Sequence, residues 1–337
     1  MNLSTVADGS TMPLIHLSVG RRTRLLLFTV LSALAPGYAL ACACGCGVFD
    51  VGTAAMIQTH TGGMFYVEDD YQQQDQNWVG SHAAPDANNT DKEIETNFGG
   101  VGLDYNFNRN WGMSVKIPYW LRTFRTNIGS AGTPDIESYR HNAIGDIRIL
   151  GTYTGFSPDM STGLSVGLKL ATGDWTYPYF DRDTSIGTGT TDLLLGGYHL
   201  GTISADHHLT WFVEALFDRA FNTREGYRPG NETDAAAGVM YDGFKLPNSG
   251  KVTALLQLIG SDRLHDSGNN ADPPNSGYHR LLVSPGLEAD VGKWKIYADA
   301  EFRVYHYANA APSVAAEGTQ GQLVAPVLLK FIVSYSF

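Results

Sequence analysis

Apolar and polar residues alternate along most of this chain with a period of two. In residues 294–305, Ile296, Ala298, Ala300, Phe302 and Val304 fall on one side. Lys295, Tyr297, Asp299, Glu301, Arg303 and Tyr305 fall on the other. Successive side chains of a β-strand point to opposite faces, so this is strand patterning. The same alternation sets Val115, Ile117, Tyr119 and Leu121 against Ser114, Lys116, Trp120 and Arg122. It sets Leu164, Val166, Leu168 and Leu170 against Ser165, Gly167 and Lys169, and Trp211, Val213, Ala215 and Phe217 against Thr210, Glu214 and Asp218. Leu281, Val283, Leu287, Ala289 and Val291 oppose Ser284, Gly286, Glu288 and Asp290.

Twelve strands are predicted, at 62–73, 92–107, 112–126, 140–155, 162–173, 189–202, 208–220, 233–245, 251–262, 278–291, 294–306 and 322–337. The segments between them alternate short and long. Short ones are 108–110, 156–161, 203–207, 246–250 and 292–293; long ones are 74–91, 127–139, 174–188, 221–232, 263–277 and 307–321. Outer-membrane barrels interleave short periplasmic turns with long extracellular loops in this way. The predicted fold is therefore all-β: a transmembrane antiparallel up-and-down barrel of about twelve strands, with its apolar face toward lipid and its small or charged face toward the lumen. Pro118, Pro285 and Pro326 fall in or beside predicted strands, where each removes a ladder donor, so bulges or strand starts are expected there.

The last predicted strand puts Val327, Leu329, Phe331, Val333, Tyr335 and Phe337 on one face. Val333, Tyr335 and Phe337 are the candidate signal read by a barrel-assembly machinery, because a closing strand needs a continuous lipid-facing row and an interfacial aromatic anchor. Tyr66, Tyr105, Trp111, Trp120, Trp211, Trp294 and Tyr335 fit aromatic girdles at the rims.

Composition narrows the class. The 337 residues are 43% hydrophobic, enough for a core, and carry a formal net charge of -11, which argues against a nucleic-acid partner. Residues 1–41 read as a cleaved signal peptide: Arg21, Arg22 and Arg24 precede an apolar run at 25–35, Pro36 and Gly37 break it, and Ala39-Leu40-Ala41 supplies a cleavage pattern. After Ala41 no apolar run reaches the ~20 residues of a spanning helix. An exported protein located in the outer membrane is expected, with lipid as its surroundings.

Residues 42–61 form a separate N-terminal segment on the periplasmic side, opening with Cys42, Cys44 and Cys46. A soft metal such as Cu(I) or Zn(II) would suit three thiols. In an extended strand they stand roughly 7 Å apart, and Gly45 and Gly47 would let the chain curl to gather them. A disulfide, a bridge to a periplasmic partner, or no role beyond the export junction are the alternatives. No other cofactor is expected.

The candidate lumen-lining residues are Lys116, Arg122, Arg148, Lys169, Glu214, Asp218, Glu288, Asp290, Asp299, Glu301, Arg303 and Lys330. Their alternation fits a conductive lining and a polar plug equally. The residues 62–337 thus form a barrel domain whose expected role is passive passage of small solutes. A non-conducting barrel that docks a metal or redox partner through Cys42, Cys44 and Cys46 is the other reading. Catalysis is not expected: no nucleophile elbow, zinc-protease helix or phosphate loop is present, and His279 and Ser284 fall on opposite faces.

Three short motifs recur at strand ends: Ile144-Gly145-Asp146-Ile147-Arg148, Leu168-Lys169-Leu170-Ala171-Thr172-Gly173-Asp174, and Gly187-Thr188-Gly189-Thr190-Thr191-Asp192-Leu193. In this order the chain resembles the outer-membrane transporters grouped with the meta-pathway of phenol degradation, with Ala171 where that pattern has Pro. The resemblance spans most of 95–337 and leaves out 42–61. It implies a barrel that passes small, often aromatic or apolar, compounds. From the residues alone, Asp146, Asp174 and Asp192 either line the lumen or brace tight turns beside glycine.

Overall fold

The computed structural model describes residues 57–129, 133–204, 206, 208–247, 250–310 and 321–337. The signal segment 1–41 and Cys42, Cys44 and Cys46 lie outside the described residues. So do all but the last five residues of the segment 42–61.

In chain order the strands are β1 (Gly62–Gln74), β2 (Gln76–Val79), β3 (His82–Ala83), β4 (Asp91–Asn106), β5 (Trp111–Asn127), β6 (Ile136–Ile144), β7 (Arg148–Tyr153) and β8 (Thr162–Lys169). They continue as β9 (Asp192–Ser204), β10 (Leu209–Ala220), β11 (Glu232–Lys245), β12 (Lys251–Arg263), β13 (Tyr278–Val291), β14 (Trp294–Ala308), β15 (Gln322–Val324) and β16 (Val327–Ser336). Among the described residues there is no α-helix. Each large strand pairs antiparallel with its neighbours, and the first strand meets the last, with Val67 opposite Val333 and Phe65 opposite Tyr335. The result is a closed antiparallel barrel of twelve strands, β6 and β7 together forming one of them. Closure of the first strand on the last removes the sheet edges there, as a bilayer without water demands, while among the described residues β6 pairs on one side only, with β5. The five short turns gather at one end and the long loops at the other, and the short-turn end is periplasmic in such barrels.

The outer surface carries the lipid-facing belt. Leu164, Val166, Leu256, Leu258, Leu287, Ile296, Leu329 and Phe331 all stay exposed. A row of ring pairs marks the short-turn end: Tyr105–Phe107, Trp111–Tyr153, Tyr241–Phe244 and Trp294–Tyr335, with centroids 4.8 to 5.3 Å apart. Val333, Tyr335 and Phe337 sit on the closing strand, where Phe337 exchanges backbone hydrogen bonds with Gly63. This belt and this closure place the protein in an outer membrane.

Three predicted strands needed correction. The strand expected over 140–155 is broken at residues 145–147 into β6 and β7. Pro118 on β5 explains the position. Its carbonyl accepts from Gly145 N at 2.9 Å, so its nitrogen faces the same neighbour and has no hydrogen to give. The strand expected from 189 begins at Asp192, because residues 187–191 brace a loop. The strand expected over 322–337 is two: β15 joins β2 and β3 in a small sheet, and β16 begins just after Pro326. Pro285 is absorbed differently. Pairing between β13 and β14 skips from Val283–Phe302 to Gly286–Asp299, leaving Pro285 out of that ladder.

The interior also departs from expectation. The inner face is not uniformly small or charged. Leu194, Phe212, Leu216, Ala236, Leu255, Ile259, Leu282, Tyr297, Leu328 and Ile332 form a buried apolar cluster, joined by Met64 and Tyr66. It fills most of the lumen along β11–β14 and β16, and its members Tyr66, Leu194 and Leu216 border the space that is left. What space remains lies chiefly against β1, β4, β5 and β7–β10, with Glu232, Arg263 and Lys330 reaching it from β11, β12 and β16.

Candidate functional site

Two chambers occupy that space, one above the other. The lower, near the short turns, has a volume of about 240 Å³ and is lined by Ile57, Tyr66, Asp104, Ser114, Leu150, Ser165, Tyr198 and Glu214, among others. The upper, beneath the long loops, is smaller, about 110 Å³, and is lined by Phe98, Trp120, Asp146, Lys169, Ile186, Asp218 and Tyr227, among others. Glu68, Lys116 and Arg148 line both and mark the waist between them.

Strand register builds the waist. Lys116 stands directly opposite Arg148, and Arg148 directly opposite Lys169, giving one base on each of β5, β7 and β8 at the same height. Like charges facing one another across strands are destabilising. Carboxylates offset them at both ends of the row: Glu68 lies 2.5 Å from Lys116, while Asp192 and Asp218 lie 2.5 and 2.7 Å from Lys169.

The other expected inner-face residues fall in three places. Asp299 and Glu301 belong to the filled half, and Lys330 stands where that half meets the lower chamber. Asp299 accepts from Ser284 Oγ at 2.8 Å, Tyr297 OH at 2.6 Å and Gln257 Nε2 at 3.1 Å. Lys330 lies 3.9 Å from both Asp70 and Glu301, all three buried. Glu288 and Asp290 sit at the periplasmic rim beside Lys295, with Lys251 3.4 Å from Asp290. Arg303 is at the loop end, stacked 4.2 Å from the Trp78 ring and donating to Gln76 Oε1. Arg122 is 1% exposed and points inward. Its guanidinium lies over the Phe98 and Trp120 rings and donates to Thr96 Oγ1 at 2.9 Å and to the Thr184 carbonyl at 2.5 Å.

Thr184 belongs to the loop between β8 and β9, which folds into the barrel mouth. Thr184, Ser185 and Ile186 are buried there, and Ile186 walls the upper chamber. The three sequence motifs meet at the root of this loop. Asp146 Oδ1 accepts from Gly173 N at 3.0 Å, and Oδ2 accepts from Thr188 N at 2.8 Å and Thr188 Oγ1 at 2.9 Å. Thr172 Oγ1 donates to the Gly145 carbonyl and accepts from Ile147 N, both at 2.9 Å. Asp174 pairs with His141 at 3.0 Å and takes the Gly187 N–H on its carbonyl. Higher in the loop, burial pushes the Asp181 carboxyl up to about 6, against the opposing effect of its hydrogen bond with Asp91.

Glu68 and Asp70 were missed by the alternation. On β1 the outward residues Asp69 and Tyr71 are also polar, so the two faces looked alike. Among the described residues no cluster of His, Cys, Asp and Glu is arranged to hold a metal. His279 faces outward toward Asp262, while Ser284 is buried inside.

No family model matches the chain, so the likeness carried by the three motifs stands on those motifs alone. No curated protein matches it either. Among solved structures, it is similar to a COG4313 outer membrane channel from Pseudomonas putida F1, with a TM-score of 0.62 at 10% identity, over 86% of this chain and 100% of that one. The beta domain of the Bordetella autotransporter BrkA gives 0.46 at 13% identity, over 82% of this chain and 100% of that one. A Pseudomonas aeruginosa FadL homologue gives 0.39 at 10% identity, over 82% and 90%. The first of these likenesses, at so low an identity, bears on the fold: an outer-membrane β-barrel.

Proposed function

We propose that this protein is a passive outer-membrane channel for small solutes of amphipathic to apolar character. The observation that carries the reading is the pair of stacked chambers. They run through one half of the barrel from the inward loop to the periplasmic end, and they meet at a charged waist. A barrel built only to dock a partner needs no such space, and packing would fill it as it fills the other half.

The lining suits solutes with an apolar body. Phe98, Trp120, Tyr227 and Ile186 face the upper chamber, and Ile57, Leu150, Leu194, Leu216 and Tyr198 face the lower one. The waist adds the polar groups Glu68, Lys116 and Arg148, which suit a solute that also carries a polar end. The fold likeness to a channel of Pseudomonas putida F1 is consistent with this reading.

Purified barrel in liposomes tests it directly. Swelling with small neutral solutes, together with single-channel steps in planar bilayers, is the expected result. A folded barrel, judged by its shifted mobility on unheated gels, that gives neither would end the proposal.

A further inference from the structure

Several contacts hold the loop between β8 and β9 against the barrel, among them the Tyr139–Tyr179 and His141–Tyr177 ring stacks and Arg182 over Tyr227, and at its root three hydrogen bonds converge on one carboxylate. Asp146 alone takes three donors: one from Gly173 at the loop's start and two from Thr188 at its end. Charge-assisted hydrogen bonds of this kind are about twice as strong as neutral ones. Asp146 sits in the gap that Pro118 opens in the wall, so it owes nothing to a strand ladder and is free to cap the loop.

The crossing itself is fitted to glycine. A Cβ on Gly187 would lie 2.5 Å from the Gly173 carbonyl carbon, and one on Gly173 would lie 2.9 Å from the Gly187 Cα. Neither site tolerates a side chain without moving the loop. Beyond this root, Arg122 reaches the Thr184 and Ser185 carbonyls at 2.5 and 3.3 Å. Between the root and Arg122 lies Ile186, 2% exposed, over the upper chamber.

We propose that Asp146 is a size-determining residue of the passage: it latches the 174–188 loop inside the barrel, and release of that latch swings Ile186 away and widens the upper chamber. The inference rests on the channel reading. The three motifs acquire one physical purpose in it. Each supplies a glycine or an acceptor to the same knot: Gly145 and Asp146 from the first, Thr172 and Gly173 from the second, Gly187 and Thr188 from the third.

The test uses two readouts on the full barrel. In a background with Cys42, Cys44 and Cys46 changed to Ser, Ile186→Cys reports loop position through its maleimide labelling rate. With Asp146 intact, labelling is slow; with Asp146→Ala added, it rises at least tenfold. In liposome swelling with sugars graded from a pentose to a trisaccharide, Asp146→Ala extends the accepted range by at least one ring. Gly187→Ala, which disturbs the crossing without touching charge, gives the same two changes and covers the case in which Asp146→Ala fails to fold. A folded Asp146→Ala or Gly187→Ala barrel with the parent's labelling rate and the parent's size range overturns the latch. If no variant or parent passes any solute, the channel reading fails while the labelling rates still decide whether the latch exists.

Discussion

The two halves of this barrel share one fold and one alternation, yet one is solid and the other hollow. Along β10–β16 the inward positions hold Phe212, Leu216, Leu255, Ile259, Leu282 and Ile332, packed together and knit by the Gln257–Ser284–Tyr297–Asp299 hydrogen bonds. Along β1, β4, β5, β7 and β8 the inward positions alternate glycines and small residues with paired charges: Gly100, Gly102, Ser114, Ser165 and Gly167 beside Glu68, Lys116, Arg148 and Lys169. A barrel of twelve strands falls between the roughly eight that side chains can fill and the roughly sixteen or more that leave an open channel. Whether it conducts is therefore decided by which residues face inward, strand by strand, and not by the fold.

The same substitution in each half gives the sharpest contrast. Lys330 lies between Asp70 and Glu301, all three buried at the edge of the chambers, so Lys330→Met removes the nearest countercharge of two buried carboxylates. The expected loss is about 3–5 kcal/mol, seen as failed folding or a sharply lowered urea midpoint in detergent micelles. Lys116→Met breaks a closer pair, with Glu68 at 2.5 Å. There the freed carboxylate faces a chamber that water reaches, and the expected cost is about 1–2 kcal/mol. Equal losses at the two sites would mean that the deeper burial around Lys330 does not set the cost.

Next in size is the lipid belt that both halves share. Leu258 is half exposed on the outside of β12 and stands beside inward Gln257 and Ile259. Leu258→Arg should cost about 2–4 kcal/mol near the bilayer midplane. Refolding into vesicles at graded urea measures it, and an arginine tolerated there would remove lipid from that face.

The twelve strands, the order of short and long connections and the outward faces were legible because lipid imposes period two on every strand that crosses it. Where strands leave lipid the signal fades: on β1, Asp69 and Tyr71 face outward, so Glu68 and Asp70 could not be told apart from them. The filled half had a signal that alternation masks. Leu255-Leu256 and Leu281-Leu282-Val283 are unbroken apolar runs, which read as strands buried on both faces. The knot at Asp146 was not legible beyond an Asp beside Gly. Its partners Gly173 and Thr188 lie 27 and 42 residues away, and what creates the site is a missing N–H at Pro118 on another strand.

Converting the hollow half toward the solid one should stop passage while leaving the barrel intact. Ser165 lines the lower chamber and shares a 2.8 Å hydrogen bond with Thr152 across β7 and β8. Ser165→Trp places a large ring in about 240 Å³ of space. Solute flux in liposomes should fall at least tenfold, with stability changed by no more than about 1 kcal/mol, since the ring enters space rather than packed atoms. Unchanged flux would put the solute path elsewhere.

The smallest effect concerns the loop that roofs the hollow half, and its sign follows from one carboxyl. Asp181 holds its proton up to about pH 6 in the closed loop, chiefly because it is buried, and it faces Asp91 at the loop-side end of β4. Asp183 and Lys92 are the other charged neighbours of that pair. A loop swung out into water would return Asp181 to an ordinary carboxyl value near 4. The closed form therefore binds more protons than the open one between about pH 4 and 6. Its stabilisation is complete below pH 4 and is lost as the pH rises through 6. Passage of the larger sugars should accordingly increase modestly from pH 5 to pH 7 and level off above it. Asp181→Asn, which keeps a neutral hydrogen-bonding group against Asp91 at every pH, should flatten the profile at its low-pH value. A profile that rises toward acid instead, or one that Asp181→Asn leaves unchanged, would separate the roof from the titration of this pair.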